Sequence, residues 1–545
     1  MSALLRRTGA LVASVALAGT GLAAATAPAQ AAGSDPRPVS TAASWLAGHL
    51  VNGVISDSYI DFTSGDPVQY DDLGLTMDTA MSLVAVGGHA STVASIKTAM
   101  DARITETYDS FGTTYTGSAA KAAVYERLVG GDPTDVGSSH TDLVKVVEDN
   151  TSSTAPTVGK IQNVNDSFGD SNTFGQAFAV RALAEAGSAK EADAEAFLLE
   201  QQCDDGFFRL NPAAPAAADQ TCQGTFGTDA SAPDNDATSI ALIQLEALAT
   251  KSDAVKASIQ AARQWLLDEQ LPDGSFGGGP TTSASNANST GLAGIALAGT
   301  GDLAAAKAAA IWVRSLQADE VGACTSKLSS QTGGIGYDAA TVAAGRKSGI
   351  TDATKDRWLR TTAPVLPVLQ YAPKVTPNLD LVGPTATVKG GSVVVYHVTG
   401  VVPGDKVCIA GLGTHKVVVG GPDGKARFAF TMPNGTGHRT IVASDRGGNQ
   451  AGVRTDILGP VKLTVSVQNQ VKRGGTVPVT VSGLAPGEHV KISWRGVTVR
   501  GGYADQHGFF RTSFGVGTTL GDGSVVAVGK YTDIRRGYDI LKVVA

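Results

Sequence analysis

Asp234 and Asp236 stand two residues apart in the stretch APDNDATSIALIQLEAL, just ahead of an apolar run with helical spacing. Carboxylates so placed allow two kinds of chemistry. One is general acid catalysis, in which a carboxyl held by its neighbours delivers a proton. The other is helix capping, in which an Asp oxygen accepts a backbone N–H of the first turn. A distant partner such as Asp78 or Asp338 would turn Asp234 into one member of a glycan-cleaving carboxylate pair. His49, His89 and His140 have no cysteine near them in sequence, and the histidines after position 390 show no paired ligand spacing. No metal site and no cofactor is therefore expected.

The elements that would position these carboxylates repeat along residues 38–372, where Ala, Leu and Thr dominate at helical spacing. The clearest unit runs through Ala262, Trp265, Leu266, Gln270, Gly274 and Phe276, and a second helix starts near Asn288. Another copy runs through Ala194, Phe197, Leu198, Gln202, Gly206 and Phe208 to a helix starting at Asp236. Ala309, Trp312 and Gln317 lead a third copy, and Ala42, Trp45 and Leu46 a fainter one. Second helices are expected to begin at Asp78, Ser118, Asn172, Asp236, Asn288 and Asp338, in steps of 40, 54, 64, 52 and 50 residues. About six stacked helical hairpins follow from this period. Within them the Gln amide serves backbone groups at helix ends. The Gly permits a tight turn, and the aromatics pack between helices. Five Asp or Asn residues at one point of successive units favour capping for Asp236. Asp234 then remains as the extra carboxylate that any chemistry here would need.

The pattern small-x-x-aromatic-Leu-x-x-x-Gln-x-x-x-Gly-x-aromatic resembles the repeat motif of squalene–hopene cyclases and related terpene cyclases. Protein prenyltransferase subunits and cobalamin carriers of the transcobalamin type share that architecture. The resemblance implies an α/α toroid over residues 38–362, an inner barrel of helices inside an outer one. The Asp-x-Asp-Asp-Thr-Ala motif of class II cyclases then falls on Asp234, Asn235, Asp236, Ala237, Thr238 and Ser239. Asp236 takes the general acid's place, and Ala237 stands where the motif has another Asp. Phe276 and Phe208 replace the usual Trp, and Ala261 and Asp193 a usual basic residue. Cyclase cavities hold carbocations against aromatic faces, yet aromatics are only 6% of this chain, which argues against cyclisation.

Composition shifts at Pro364, Pro367, Pro373 and Pro377, which predict a linker over 363–378. Beyond it, residues 390–409 match 474–493, and Gly424 matches Gly508. An 84-residue period of short strands predicts two all-β immunoglobulin-like sandwiches, 379–459 and 460–545, for spacing or attachment.

Arg6 and Arg7 precede an Ala-rich apolar stretch ending in Ala29-Gln30-Ala31, so residues 1–31 are expected to be a secretory signal. No later segment offers about 18 uncharged apolar residues, so no transmembrane segment is expected. Net charge is −7. A mildly acidic surface, taken as evenly mixed, excludes nucleic acid as a partner. Four cysteines allow three pairings; Cys203–Cys222 is preferred because it closes a short loop, with reduced thiols as the alternative. Together these features predict a secreted or non-covalently wall-associated protein. Its toroid would bind a lipid, corrinoid or cell-wall glycan without catalysis. The alternative is an enzyme on the toroid, with Asp236 as general acid or a carboxylate pair cleaving glycans.

Overall fold

The computed structural model describes residues 33–545 except 62–63, 111, 167–170 and 225–230, so the expected signal segment lies outside the described residues. The first part of the chain is helical and the second strand-rich. The helices are α1 (Pro36–Ala47), α2 (Leu73–Val86), α3 (Ala90–Asp101), α4 (Thr116–Leu128), α5 (Leu143–Asp149), α6 (Thr173–Ala186) and α7 (Glu191–Glu200). They continue with α8 (Asn235–Glu246), α9 (Asp253–Glu269), α10 (Ala287–Gly299), α11 (Leu303–Leu316), α12 (Ala339–Ser348) and α13 (Lys355–Val365). Helices α2, α4, α6, α8, α10 and α13 touch one another in that order, and α13 returns to α2. The odd-numbered helices α1 to α11 pack against this inner set. The two sets differ in sequence for a physical reason. Outer α9 buries one stripe, Val255, Ile259, Ala262 and Leu266. Inner α10 is covered on both sides and is built of small residues. A methyl group at Gly291 would lie 2.5 Å from Val365 on α13, and one at Gly294 would lie 2.7 Å from Ala309 on α11.

The Gln–Gly motif ties α7 to α9, α9 to α11 and α11 to α1. The Gln270 side-chain amide donates to Gly274 O at 3.1 Å and to Ala305 O, on α11, at 3.0 Å. Gln202 donates to Gly206 O at 2.8 Å and to Ser258 O, on α9, at 3.0 Å. Gln317 reaches Pro38 O on α1 at 2.8 Å, so the same bond joins the last outer helix to the first. Gly274 has φ +89 and passes so close to Ala308 O that a Cβ would sit 2.5 Å from it, so only glycine fits. Phe208 and Phe276 are buried in the common core and Phe197 is also buried, whereas Trp265 is half-buried and packs on Phe207 at 5.0 Å.

Two expectations about the end of the helical part are corrected. Residues 363–371, expected as linker, continue α13 and a 3-10 turn, Leu366–Tyr371, whose Leu366, Pro367, Val368 and Leu369 are buried. Pro364 is tolerated inside the helix and lines the central cavity. The sixth inner helix is thus α13, not the helix after Asp338. That helix, α12, packs Gly345 against Trp358 and Leu328 instead. Asp35 N then bonds Ala372 O at 2.8 Å, bringing the start and end of the helical part together.

The strand-rich part forms two units, each with its own core between two sheets. The first sets strands 414–419, 406–411, 437–444, 450–458 and 388–389 against 426–431, 393–399 and 380–382. The second sets 461–462, 535–544, 521–528, 489–494 and 497–503 against 464–466, 476–482 and 510–515. Buried Val394, Tyr396 and Val398 answer to Val477, Val479 and Val481, an offset of 83 that becomes 84 by Gly424 and Gly508. The uniform 84-residue alignment is therefore off by one residue through its first strands, which would flip every side chain to the other face.

No flexible hinge separates the first strand unit from the helices. Arg314 on α11 pairs with Asp35 at 2.8 Å and with Asp405 at 3.1 Å. Asp319 pairs with Arg37 and Arg446, and buried Lys406 donates to Gln317 O. A disulfide, Cys324–Cys408, crosses the same contact. Cys203 is paired with Cys222, and no described cysteine is free.

Candidate functional site

Asp234, not Asp236, caps α8. Its Oδ1 accepts Ala237 N at 2.8 Å, and its backbone carbonyl accepts the Thr238 hydroxyl at 2.7 Å. Thr238 Oγ1 in turn accepts Phe208 N at 2.9 Å, which fixes the Gly206–Phe208 loop onto the inner helix. Thr290 receives Phe276 N at 3.0 Å and Thr362 receives Ile335 N at 2.9 Å in the same way. Asp72, Asn172, Asn286 and Asp338 also cap helices. Asp236 and Asn288 are thus corrected from helix starts to positions inside the first turns, and Asp78 to the second turn of α2. The apolar pattern alone could not separate a cap from the residue two places later. The Thr four places after each cap at Asp72, Asp234 and Asn286 is the signal that could have done so.

Asp236 is the carboxylate with the unusual environment. One oxygen is buried without a hydrogen-bond partner, and the other lies close to Gly278, where a Cβ would come within 2.6 Å of it. Burial pushes its carboxyl up to about 6. The Ser289 hydroxyl opposes the shift, and the Asp234 charge adds to it. Burial also raises Asp234, against the backbone N–H groups of Ala237 and Asp236. Asn235 accepts from Trp265 Nε1 at 3.0 Å and donates to Gly277 O at 3.0 Å, so the middle of the Asp-Asn-Asp triplet ties α8 to its neighbours.

The inner helices enclose a cavity of about 750 Å³. Met81 and Val84 of α2, Val124 and Leu128 of α4, Phe174 and Phe178 of α6, Ile240 and Ile243 of α8, and Leu292 and Ile295 of α10 line it. Its charges are already matched. Lys121 Nζ lies 2.7 Å from Asp78 and 3.3 Å from Gly74 O. Arg181 lies 2.8 Å from Glu185 and 3.3 Å from the Gln244 side-chain oxygen. Neither Asp234 nor Asp236 is among the lining residues. The candidate glycan-cleaving partners are engaged elsewhere: Asp78 holds Lys121 in the cavity, and Asp338 caps α12. Sequence reasoning found Asp78 as a helix start and missed Lys121, Arg181 and Gln244. Each has an apolar neighbour one turn away, Val124, Phe178 and Leu248, and nothing local marks a residue as facing a ring interior.

A third group of carboxylates lies beside the cavity-bearing ring. An antiparallel hairpin pairs residues 54–60 with 67–72. It brings Asp57 and Asp72 to Asp356 of α13, with one oxygen of each within 4.8 Å of the others. Arg360 already pairs with both Asp72 and Asp356. Asp57 is pushed up to about 6 by burial, with Ser58 N opposing and Asp356 reinforcing. Arg360 thus already supplies a cation to two of the three carboxylates.

No family model matches the chain, and no curated protein matches it. Solved structures do. The type II terpene cyclase MstE from Scytonema is 15% identical over 62% of this chain and 96% of that one, with a TM-score of 0.40. The adhesin InvE of Yersinia pseudotuberculosis is 16% identical over 31% of this chain, with a TM-score of 0.18; this chain spans 58% of that adhesin. The human OSCAR ligand-binding domain is 12% identical over 31% of this chain and 99% of that one, with a TM-score of 0.21.

Proposed function

We propose that the chain is an exported or surface-held binding protein whose helical part, an α/α toroid of six hairpins, takes up an apolar or amphipathic lipid without catalysis. Two immunoglobulin-like modules carry the toroid. The cavity carries this reading. Its volume falls in the range of small-molecule sites, its walls are chiefly aliphatic, and its cations are already paired. A glycan or corrinoid would need a more polar lining than these residues supply. No described helix is long and apolar enough to cross a membrane. The full chain should displace a fluorescent fatty acid or polyprenyl probe at micromolar concentration. Ile295→Trp, which fills the cavity, should weaken that binding at least about tenfold. Failure of the native chain to bind any apolar probe would remove the proposal.

The enzyme reading keeps one specific support, the buried, partnerless Oδ1 of Asp236, whose carboxyl is pushed up to about 6. A neutral carboxyl is a proton donor. Incubation with polyprenyl substrates and mass spectrometry decides: product formed by the native chain and lost in Asp236→Asn would establish it in place of simple binding.

A further inference from the structure

The charges divide where the helices end. Residues 33–378 hold 22 Lys and Arg against 40 Asp and Glu, a net of −18, whereas residues 379–545 hold 19 against 10, a net of +9. The expectation of an evenly mixed surface is corrected by this count.

In the second strand unit the excess is organised. Strand register aligns Lys462 with Arg536, Arg536 with Val528, and Val528 with Lys491. Residues paired across strands share a face, so these three cations form one row. The next row on that face is Tyr538, Val526 and Ser493, followed by Ile540 and Ser524. Val490, Ile492, Val525 and Ala527 occupy the opposite face and fill the core. Lys462, Lys491 and Arg536 are exposed, and no ion pair is seen for them among the described residues. Tyr538 is 63% exposed and Ile540 49%. The acidic residue of this face is Asp522, opposite Lys542.

The first unit shows what the corresponding face can do. At the offset of 83, Lys491 answers to Cys408. There the face is covered by the helical part, through Cys324–Cys408, Val321 and Val417. In the second unit no described residue covers it.

We propose that this free face binds an anionic polysaccharide bearing carboxylate or phosphodiester groups. The proposal is independent of what the cavity holds. Along the row Lys462 and Arg536 stand about 5 Å apart and Arg536 and Lys491 about 10 Å apart, by the spacing of neighbouring strands, which suits a linear polyanion. Tyr538 beside them offers a flat ring to a sugar. The negative helical part is repelled by the same polymer, so the molecule docks by its strand-rich end with the cavity-bearing ring held away.

The test uses the full chain on immobilised polygalacturonate, poly(glycerol phosphate), neutral dextran and double-stranded DNA. At about 20 mM salt the native chain should bind at least one anionic glycopolymer and not dextran. Raising salt to about 300 mM, which cuts the Debye length to roughly 6 Å, should weaken binding at least about tenfold. Binding to one anionic polymer alone supports the proposal and identifies carboxylate or phosphodiester as the group recognised. The variant Lys462→Ser/Lys491→Ser/Arg536→Ser should lose about tenfold or more of the affinity at low salt, with its melting temperature and cavity-probe binding unchanged. Tyr538→Ala should weaken binding at either salt. Absence of native binding, equal binding by the triple variant, or preference for DNA over both glycopolymers would overturn the proposal.

Discussion

Asp236 shows how a single carboxyl can be strained by its surroundings without facing the cavity. Its folded-state value of about 6 lies above the ordinary 3.8. A carboxyl raised on folding contributes stability below its unfolded value, and that contribution is lost as pH rises through the folded value. Asp236→Asn, close in shape and never charged, should therefore leave the melting temperature near pH 4 almost unchanged. At pH 8 it should raise stability by ~1–3 kcal/mol. Thermal denaturation across pH measures this directly. A loss at both pH values would show that the Ser289 hydrogen bond outweighs the cost of burying the charge. Asp234 is the contrasting case. Its charge is used by the first turn of α8, so its retention has a structural reason that requires no substrate.

Among the elements, the decisive contact is the one that returns the last outer helix to the first. Gln202 and Gln270 bridge successive outer helices, across 56 and 35 positions, but the Gln317 amide reaches Pro38 O across 279 positions. Gln317→Ala leaves the Pro38 carbonyl without that partner in a buried setting, a cost of ~1–3 kcal/mol. It should also accelerate amide exchange in α1 selectively. Exchange monitored by mass spectrometry would show the effect, and uniform acceleration through all helices would refute the seam as the weak point. The motif residues themselves were legible: Gln270, Gly274 and Phe276 follow from composition and spacing. The identity of the sixth inner helix was not. Pro364 and Pro367 read locally as linker, because proline costs a helix one bond wherever it sits. Only burial against α1, α10 and α11 makes residues 363–371 part of the ring.

For the whole molecule, the joint between helices and strands matters most. Cys324 and Cys408 lie 84 positions apart and join the two parts beside the Asp319, Arg37, Arg446 and Lys406 contacts. Replacing both with serine should cost about 2–4 kcal/mol. It should also split one calorimetric unfolding transition into separate helical and strand-rich transitions. Persistence of a single transition would mean that the ionic contacts suffice to couple the parts. The second joint has no disulfide; buried Arg535 pairs with Glu488 at 2.7 Å and donates to Gly459 O at 2.9 Å.

What the sequence by itself determined is the set of local elements. Helical spacing, the Gln and Gly of the hairpins and the alternation of the strands each act within a few residues of their own position, and composition alone divides helices from strands. What only the tertiary structure decided depends on contacts between distant residues. It chose Asp234 over Asp236 as the cap, gathered Lys121, Arg181 and Gln244 around one cavity, and left Asp236 outside that cavity's lining. It also covered one strand unit's outer face while leaving the basic face of the other free, because side chains of equal pattern acquire different roles from what lies opposite them.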